Sequence, residues 1–394
     1  MKSNRGSSPA RLGRGAALLI AAGLMSSLVP LRAQTVQLRA DAIDEGWGNR
    51  QANTSGGKIL WFEHDGGANT DDVVLYNGSS ASVVQPQGAL TNVGDIVFAL
   101  GTGASAGHVI AAWRRDTDFA WISTDGGAPV AVTATNPGNP LVPLNPEGAG
   151  IADGCVFLIL QDASGAFPRK YVFKANPATG VATILTDPAI YPVTGSADGA
   201  PRITTSGCKA AWRYFDGSST IKLHFYDGAS IAVIDSGDID LPHMSAGRVV
   251  YAKTVDGVSQ VYLYDSNLAS PAPVALTSYT DPSKVNSYAK TDGRHVAWLR
   301  QNTDNSNRQI ILNGDMRLTD SASKPPDGGL FSDFPLQLQR GQLLWTDAAG
   351  ALRYAHDGAI ATVGIAPATS MIRPWLADGY VAFTGLSNLS LIHI

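Results

Sequence analysis

The sequence predicts an all-β chain, a β-propeller of eight four-stranded blades. Three observations carry this: a glycine-led apolar strand that recurs along the chain, a hairpin dipeptide in phase with it, and no useful helix-period segment after the N-terminal leader. The recurring strand is Gly57-Lys58-Ile59-Leu60-Trp61, then Gly107 to Trp113, Gly154 to Phe157, Gly207 to Trp212, Gly247 to Tyr251, Gly293 to Trp298, Gly341 to Trp345 and Gly379 to Phe383. Successive glycines stand 38 to 53 residues apart, which is the length of a propeller blade.

The leader comes first. Lys2, Arg5, Arg11 and Arg14 precede an apolar run from about Ala16 to Val29 that ends at Leu31-Arg32-Ala33. That order of charge, apolar run and small residue predicts a signal peptide over 1–33. The run is too short for the roughly 20 apolar residues of a membrane-spanning helix. The expected location is therefore secreted or periplasmic, with the propeller over 34–388.

Within each repeat an apolar strand ends in Asn77-Gly78, Asp125-Gly126, Asp227-Gly228, Asn313-Gly314 or Asp357-Gly358, while Asn176-Pro177 and Asp265-Ser266 fill that slot in two others. Asx-Gly tolerates the positive φ of a two-residue hairpin. A short outer strand follows, as in Val130-Ala131-Val132-Thr133, Ala182 to Thr186, Val274-Ala275-Leu276-Thr277 and Met316-Arg317-Leu318-Thr319. Four strands per repeat make a sheet with two apolar faces, and packing blades around a ring covers both. Val36-Gln37-Leu38-Arg39 stands before the first blade as an outer strand without one of its own, so it is expected to close the last blade. That blade takes its first strand from Ser370–Leu376 and its second from Tyr380–Phe383. It is expected to lack strand three, because Leu389–Ile394 reads as a non-native tail.

Composition narrows the partners. A formal charge of -4 with intermixed signs offers no basic stripe for nucleic acid and no polybasic patch for a membrane. With 44% apolar and only 16% charged residues, the chain has ample core and is not disordered.

Ser245-Ala246-Gly247-Arg248-Val249-Val250-Tyr251, with Val261 to Asp265 and Ala275-Leu276-Thr277 after it, resembles the TolB-type, WD40-like propeller repeats of bacterial envelope proteins. Thr291-Asp292-Gly293-Arg294-His295-Val296-Ala297-Trp298 is the next clearest copy. The resemblance covers nearly all of the mature chain and implies a blade, not an activity. The Ser-Pro-Asp-Gly turn typical of that family appears nowhere intact.

The chemistry-bearing residues read as follows. Trp61, Trp113, Trp212, Trp298 and Trp345 share one phase and are expected in the inter-blade core, although aromatic faces also stack on sugars. Trp47, Trp121 and Trp375 fall outside that phase and are the better candidates for exposure. The seven histidines, His64, His108, His224, His243, His295, His356 and His393, show no metal-binding spacing. Asp235-Ser236-Gly237-Asp238-Ile239-Asp240 and Asn302-Thr303-Asp304-Asn305 read as solvated turns and lack a full calcium-loop pattern. No Gly-x-Ser-x-Gly elbow occurs. Catalytic residues are therefore unassigned, and neither metal nor cofactor is expected. Cys155 and Cys208 each follow a blade glycine. An exported protein invites a bridge between them, whereas strands of adjacent blades about 10 Å apart oppose one. The function expected is a binding scaffold for a protein or glycan. The alternative is a secreted carbohydrate-active enzyme, lyase or hydrolase, with its site at the channel mouth.

Overall fold

The computed structural model describes residues 34–39, 53–55, 57–65, 70–89, 98–102, 108–115, 119–136, 144–162, 169–186, 203–215, 220–314, 316–321, 323–325, 336–356, 359–362, 372–377, 380–384 and 389–393. All lie in the compact unit Ala33–Ile394. The leader over 1–33, Trp47 and Asp357-Gly358 fall outside the described residues.

The fold is an all-β propeller, with no helix among the described residues. Asn53–Ser55, Lys58–Asp65, Thr70–Tyr76 and Ala81–Ala89 pair antiparallel in chain order. The same order runs from Phe98–Thr102 to Val130–Ala131, from Asn145–Ala152 to Ala182–Ile184, from Lys284–Thr291 to Met316–Arg317 and from Gln337–Gln339 to Ala359–Thr362. The strands from Thr204–Ser206 to Val274–Ala275 form two such sets joined into one eight-stranded sheet. The join is short, Asp238 opposite Thr254 and Ile239 opposite Lys253.

Another sheet orders Ile372–Ala377, Tyr380–Thr384, Leu389–His393 and Gln34–Arg39 from one edge to the other. The N-terminal strand is thus the fourth of this sheet. The expectation that strand three is missing is corrected, because Leu389–His393 lies between Tyr380–Thr384 and Gln34–Arg39. Its run of Leu389-Ser390-Leu391-Ile392-His393 is extended backbone able to pair on both edges, and two open edges would otherwise face each other across a gap.

The first strands of the sheets touch in a closed cycle. Asn53–Ser55 meets Phe98–Thr102, and contact passes through Asn145–Ala152, Thr204–Ser206, His243–Ser245, Lys284–Thr291, Gln337–Gln339 and Ile372–Ala377 back to Asn53–Ser55. The second strands carry the core. Trp61, Trp113, Trp212, Trp298 and Trp345 are each at most 2% exposed, and Tyr251 occupies the same place in its blade, whereas in the 145–184 blade that place falls to Leu158 and Phe157 points the other way, into the cluster with Trp212. They fill the wedge between neighbouring sheets, where truncating a Phe or Trp to Ala costs about 3–5 kcal/mol.

The blade glycine belongs to the turn between strands one and two. Asp153-Gly154, Ala246-Gly247 and Arg340-Gly341 all have positive φ at both residues, the two-residue turn whose twist matches the strands it joins. The later hairpin divides into two kinds. Asp125-Gly126 and Asn313-Gly314 are such two-residue turns. At Asn77 and Asp227 the side chain instead accepts two backbone N–H groups further on, from Ser79 and Ser80 and from Ala229 and Ser230.

A Leu-Thr pair ends several outer strands. Thr186, Thr277 and Thr319 accept, through Oγ1, the N–H of Val172, Val261 and Ile310 in the third strand, each at 3.0 Å. The preceding Leu185, Leu276 and Leu318 donate to the carbonyls of the same three residues. The pair therefore satisfies both polar groups of one third-strand residue where the outer strand peels away.

Candidate functional site

A propeller presents its chemistry at the channel and at the two rims, and both rest on how neighbouring blades are held together. Along the first strands, alternate side chains face opposite neighbours. Met244 and Leu338 pack into the core on one side, while polar residues beside them reach the next blade. Thr204 Oγ1 accepts from Met244 N (2.7 Å), His243 Nδ1 from Thr291 N (3.2 Å), and Gln337 Oε1 from Leu376 N (2.5 Å). Asp240 Oδ2 likewise accepts from Tyr288 N (3.1 Å). These first strands have no further strand to pair with, so their amides are met by side chains from the preceding blade.

His243 is held far below the ordinary imidazole value, at about 3, chiefly by burial and then by repulsion from Lys290. Accepting a hydrogen bond at Nδ1 suits the neutral ring.

The rim bearing the first hairpin turns is tied from blade to blade. Lys58 Nζ reaches Asp125 (3.4 Å), Lys209 Nζ donates to Ser266 Oγ (3.1 Å), Arg248 Nη1 donates to Gly293 O (2.6 Å), and Asp292 Oδ2 accepts from Gly341 N (2.5 Å). Burial alone would raise the Asp292 carboxyl. The N–H and ring of His295, with the N–H groups of Arg294 and Gly341, outweigh it and hold the group below its usual value. Asp125 follows the same logic, with burial outweighed by His108, Val109 N–H and Lys58.

Between the 145–184 and 204–239 blades the tie is covalent. Cys155 and Cys208 form a disulfide with their Cα atoms 5.2 Å apart, and beside it Asp153 Oδ2 accepts from Gly207 N (2.7 Å). The expected 10 Å separation is corrected, because the two cysteines are not equivalent. Cys155 begins its strand after the turn Asp153-Gly154, whereas Cys208 is itself the second residue of the turn Gly207-Cys208, at φ 58°. That one-residue offset puts Cys208 at the hairpin tip, toward its neighbour.

One cleft opens on this rim between the 243–275 and 284–317 blades. Its volume is about 320 Å³, and it is lined by Arg248, Leu263, Leu276, Thr291, Arg294, Val296, Asn313 and Gly314. None of these was singled out from the sequence as a site residue. Arg248 and Arg294 directly follow blade glycines, and Asn313-Gly314 is the hairpin dipeptide, so the repeat was the only signal.

The residues that were singled out are placed as follows. The five in-phase tryptophans are core, and Trp121 is partly buried against the same cluster as Trp113. Trp375 lies in strand Ile372–Ala377, His64 in Lys58–Asp65 and His393 in Leu389–His393, with side chains outside the described residues. His224 is buried and stacks on Trp212 at 5.7 Å, His295 bonds Asp292 at 3.0 Å, and His108 bonds Asp125. His356 ends its strand exposed.

Among the described residues no three His, Cys, Asp or Glu side chains converge as metal ligands would. The reading of Asp235–Asp240 as a solvated turn is corrected. Asp235 to Ile239 belong to strand Ile231–Ile239, where Asp235 accepts from Tyr251 Oη and Lys253 Nζ, both at 2.6 Å. Asn302–Asn305 is a tight turn, with Asn305 N donating to Asn302 O.

No family model and no curated protein matches the sequence. Solved structures do match. The computationally designed Ika8 protein aligns over 90% of this chain and 100% of its own at 12% identity and TM-score 0.51. BamB from Moraxella catarrhalis aligns over 92% and 100% at 11% identity and TM-score 0.50. Prolyl oligopeptidase B from Galerina marginata aligns over 86% of this chain but 55% of its own, at 9% identity and TM-score 0.50. At these identities the likeness shows the propeller fold alone.

Proposed function

We propose that this chain is an exported, extracytoplasmic β-propeller that serves as a rigid binding scaffold for a protein or glycan. In this reading residues 1–33 are the signal peptide and an eight-bladed ring follows from residue 34. The observation that carries it is the Cys155–Cys208 bridge. The chain has two cysteines, they are paired across two blades, and such bridges persist in oxidising compartments. The closed cycle of first-strand contacts supports eight blades. Gln34–Arg39, as fourth strand beside Leu389–His393, supports closure by the N-terminal strand. No helix among the described residues is long and apolar enough to cross a membrane. The blade-to-blade ties favour a preorganised surface, which lowers the ordering cost of binding.

Two measurements test the reading. Envelope-fraction protein is expected to begin at Gln34 with no free thiol, whereas unprocessed cytoplasmic protein with two free thiols would overturn export. The mature domain is then screened against immobilised envelope proteins and glycans, with turnover of polyuronates and bound metal assayed in parallel. Retention of a ligand without turnover is expected. Turnover with stoichiometric metal would replace the scaffold by the carbohydrate-active enzyme.

A further inference from the structure

We infer that the rim cleft between the 243–275 and 284–317 blades binds the C-terminal carboxylate of a peptide whose last residue is aliphatic, a reading that rests on the scaffold function. The argument starts from the polar inventory of the lining. Thr291 has no proton to offer, since its hydroxyl donates to His295 O and also accepts from Gly293 N. Asn313 Oδ1 accepts from Val296 N, and its two Nδ2 hydrogens take no part in that bond. Arg248 spends Nε on Asp265 and Nη1 on Gly293 O, and the two hydrogens on its Nη2 take no part in those bonds.

Arg294 is exposed, and its guanidinium has no hydrogen bond or ion pair with any described residue. The cleft is lined by no carboxylate. The nearby acids are already committed, Asp265 to Arg248 and Asn267, and Asp292 to His295, Arg294 N and Gly341 N. The charge and most of the open hydrogen-bonding capacity of the lining therefore belong to donors, one of them a charged fork, and a carboxylate complements them.

The rest of the lining decides what carries the carboxylate. Leu263, Leu276 and Val296 form apolar walls, and no aromatic residue lines the cleft to stack on a sugar ring. An aliphatic side chain matches these walls, whereas the hydroxyls of a uronate find no partner on Leu263, Leu276 or Val296. A volume of about 320 Å³ lies at the small end of ligand sites and suits one terminal residue. Val274, paired with the lining residue Leu263, and Met316, two residues after the lining residue Gly314 on the next blade, are 58% and 55% exposed. Both outer strands there are only two residues long, Val274–Ala275 and Met316–Arg317, so a preceding residue of the peptide has apolar surface to lie on.

The test uses the mature domain, wild type and Arg294→Ala, titrated by calorimetry with three probes: an N-acetylated hexapeptide ending in leucine, the same peptide as its C-terminal amide, and digalacturonate. The free-acid peptide is expected to bind at least about tenfold more tightly than the amide and to lose about tenfold on Arg294→Ala. Arg294 is exposed, so the variant should melt with the parent. Equal binding of acid and amide, no binding of either, or Arg294-dependent binding of digalacturonate alone would overturn the proposal. Repeating the envelope screen with Arg294→Ala separates the two readings. A ligand retained equally by parent and variant, with no acid-specific peptide binding, removes the cleft proposal and leaves the scaffold standing.

Discussion

Replacing Cys155 and Cys208 together by serine opens the one covalent tie between blades, and the size of the effect follows from the loop it closes. The cysteines are 53 residues apart. Closing a loop of that length removes about 14 cal/mol/K from the unfolded ensemble, or about 4 kcal/mol at 25 °C. Unfolding entropy of about 2.1 cal/mol/K per residue over roughly 360 residues sums to about 0.8 kcal/mol/K, so the melting temperature should fall by about 5 °C. Serine at position 208 inherits the positive φ that cysteine already adopts, and the Asp153–Gly207 bond still holds the turns together. Backbone strain therefore adds little. Differential scanning calorimetry of the oxidised parent, the parent in reductant and the double variant reads the change directly. Reduced parent and variant should agree with each other. If both melt within about 1 °C of the oxidised protein, the loop-closure reasoning fails.

Thr186→Val and Thr319→Val keep the volume of two buried side chains but leave the N–H of Val172 and of Ile310 without its acceptor. Each should cost about 1–3 kcal/mol in a denaturant melt, with most of it restored by serine; parent-like valine variants would refute the Leu-Thr cap. Gly180→Ala should destabilise more than Gly314→Ala. Both positions have positive φ, but a Cβ at 180 would stand 2.1 Å from Ala131 O whereas one at 314 meets open space, and equal melting losses would contradict this. His243→Gln tests acid sensitivity. The folded ring is depressed to about 3 against an ordinary value of about 6.5, so between those limits the unfolded chain binds more protons. The contribution is whole above pH 6.5 and is lost as pH falls toward 3. Glutamine keeps an acceptor for Thr291 N and removes the titration, so its melting temperature should fall less than the parent's between pH 7 and 4.5; parallel curves would refute the assignment.

The blades were legible in the sequence because a strand writes its environment locally. An apolar run ending in Trp, a turn glycine and an Asx-Gly dipeptide each act within a few residues, and their common period reports the repeat. The site was far less legible. Arg248, Arg294 and Asn313 look like ordinary turn residues of two separate repeats. What makes them a cleft is the packing of one blade against the next and the internal bonds that commit some of their atoms and leave others open. Asp235 misled for the same reason, since an acid run reads as a turn until a bulged strand and Lys253 from the following blade hold it.

By itself, then, the amino-acid order determined strand identity, the four-strand repeat and the aromatic core, because side-chain period and turn chemistry are properties of neighbouring residues. Tertiary structure alone decided the cysteine pairing, the third strand of the last sheet and the cleft. Each depends on the distance between residues remote in sequence. A one-residue difference in turn register brought Cys208 to within 5.2 Å of Cys155, and only the closed set of blades determines such a distance.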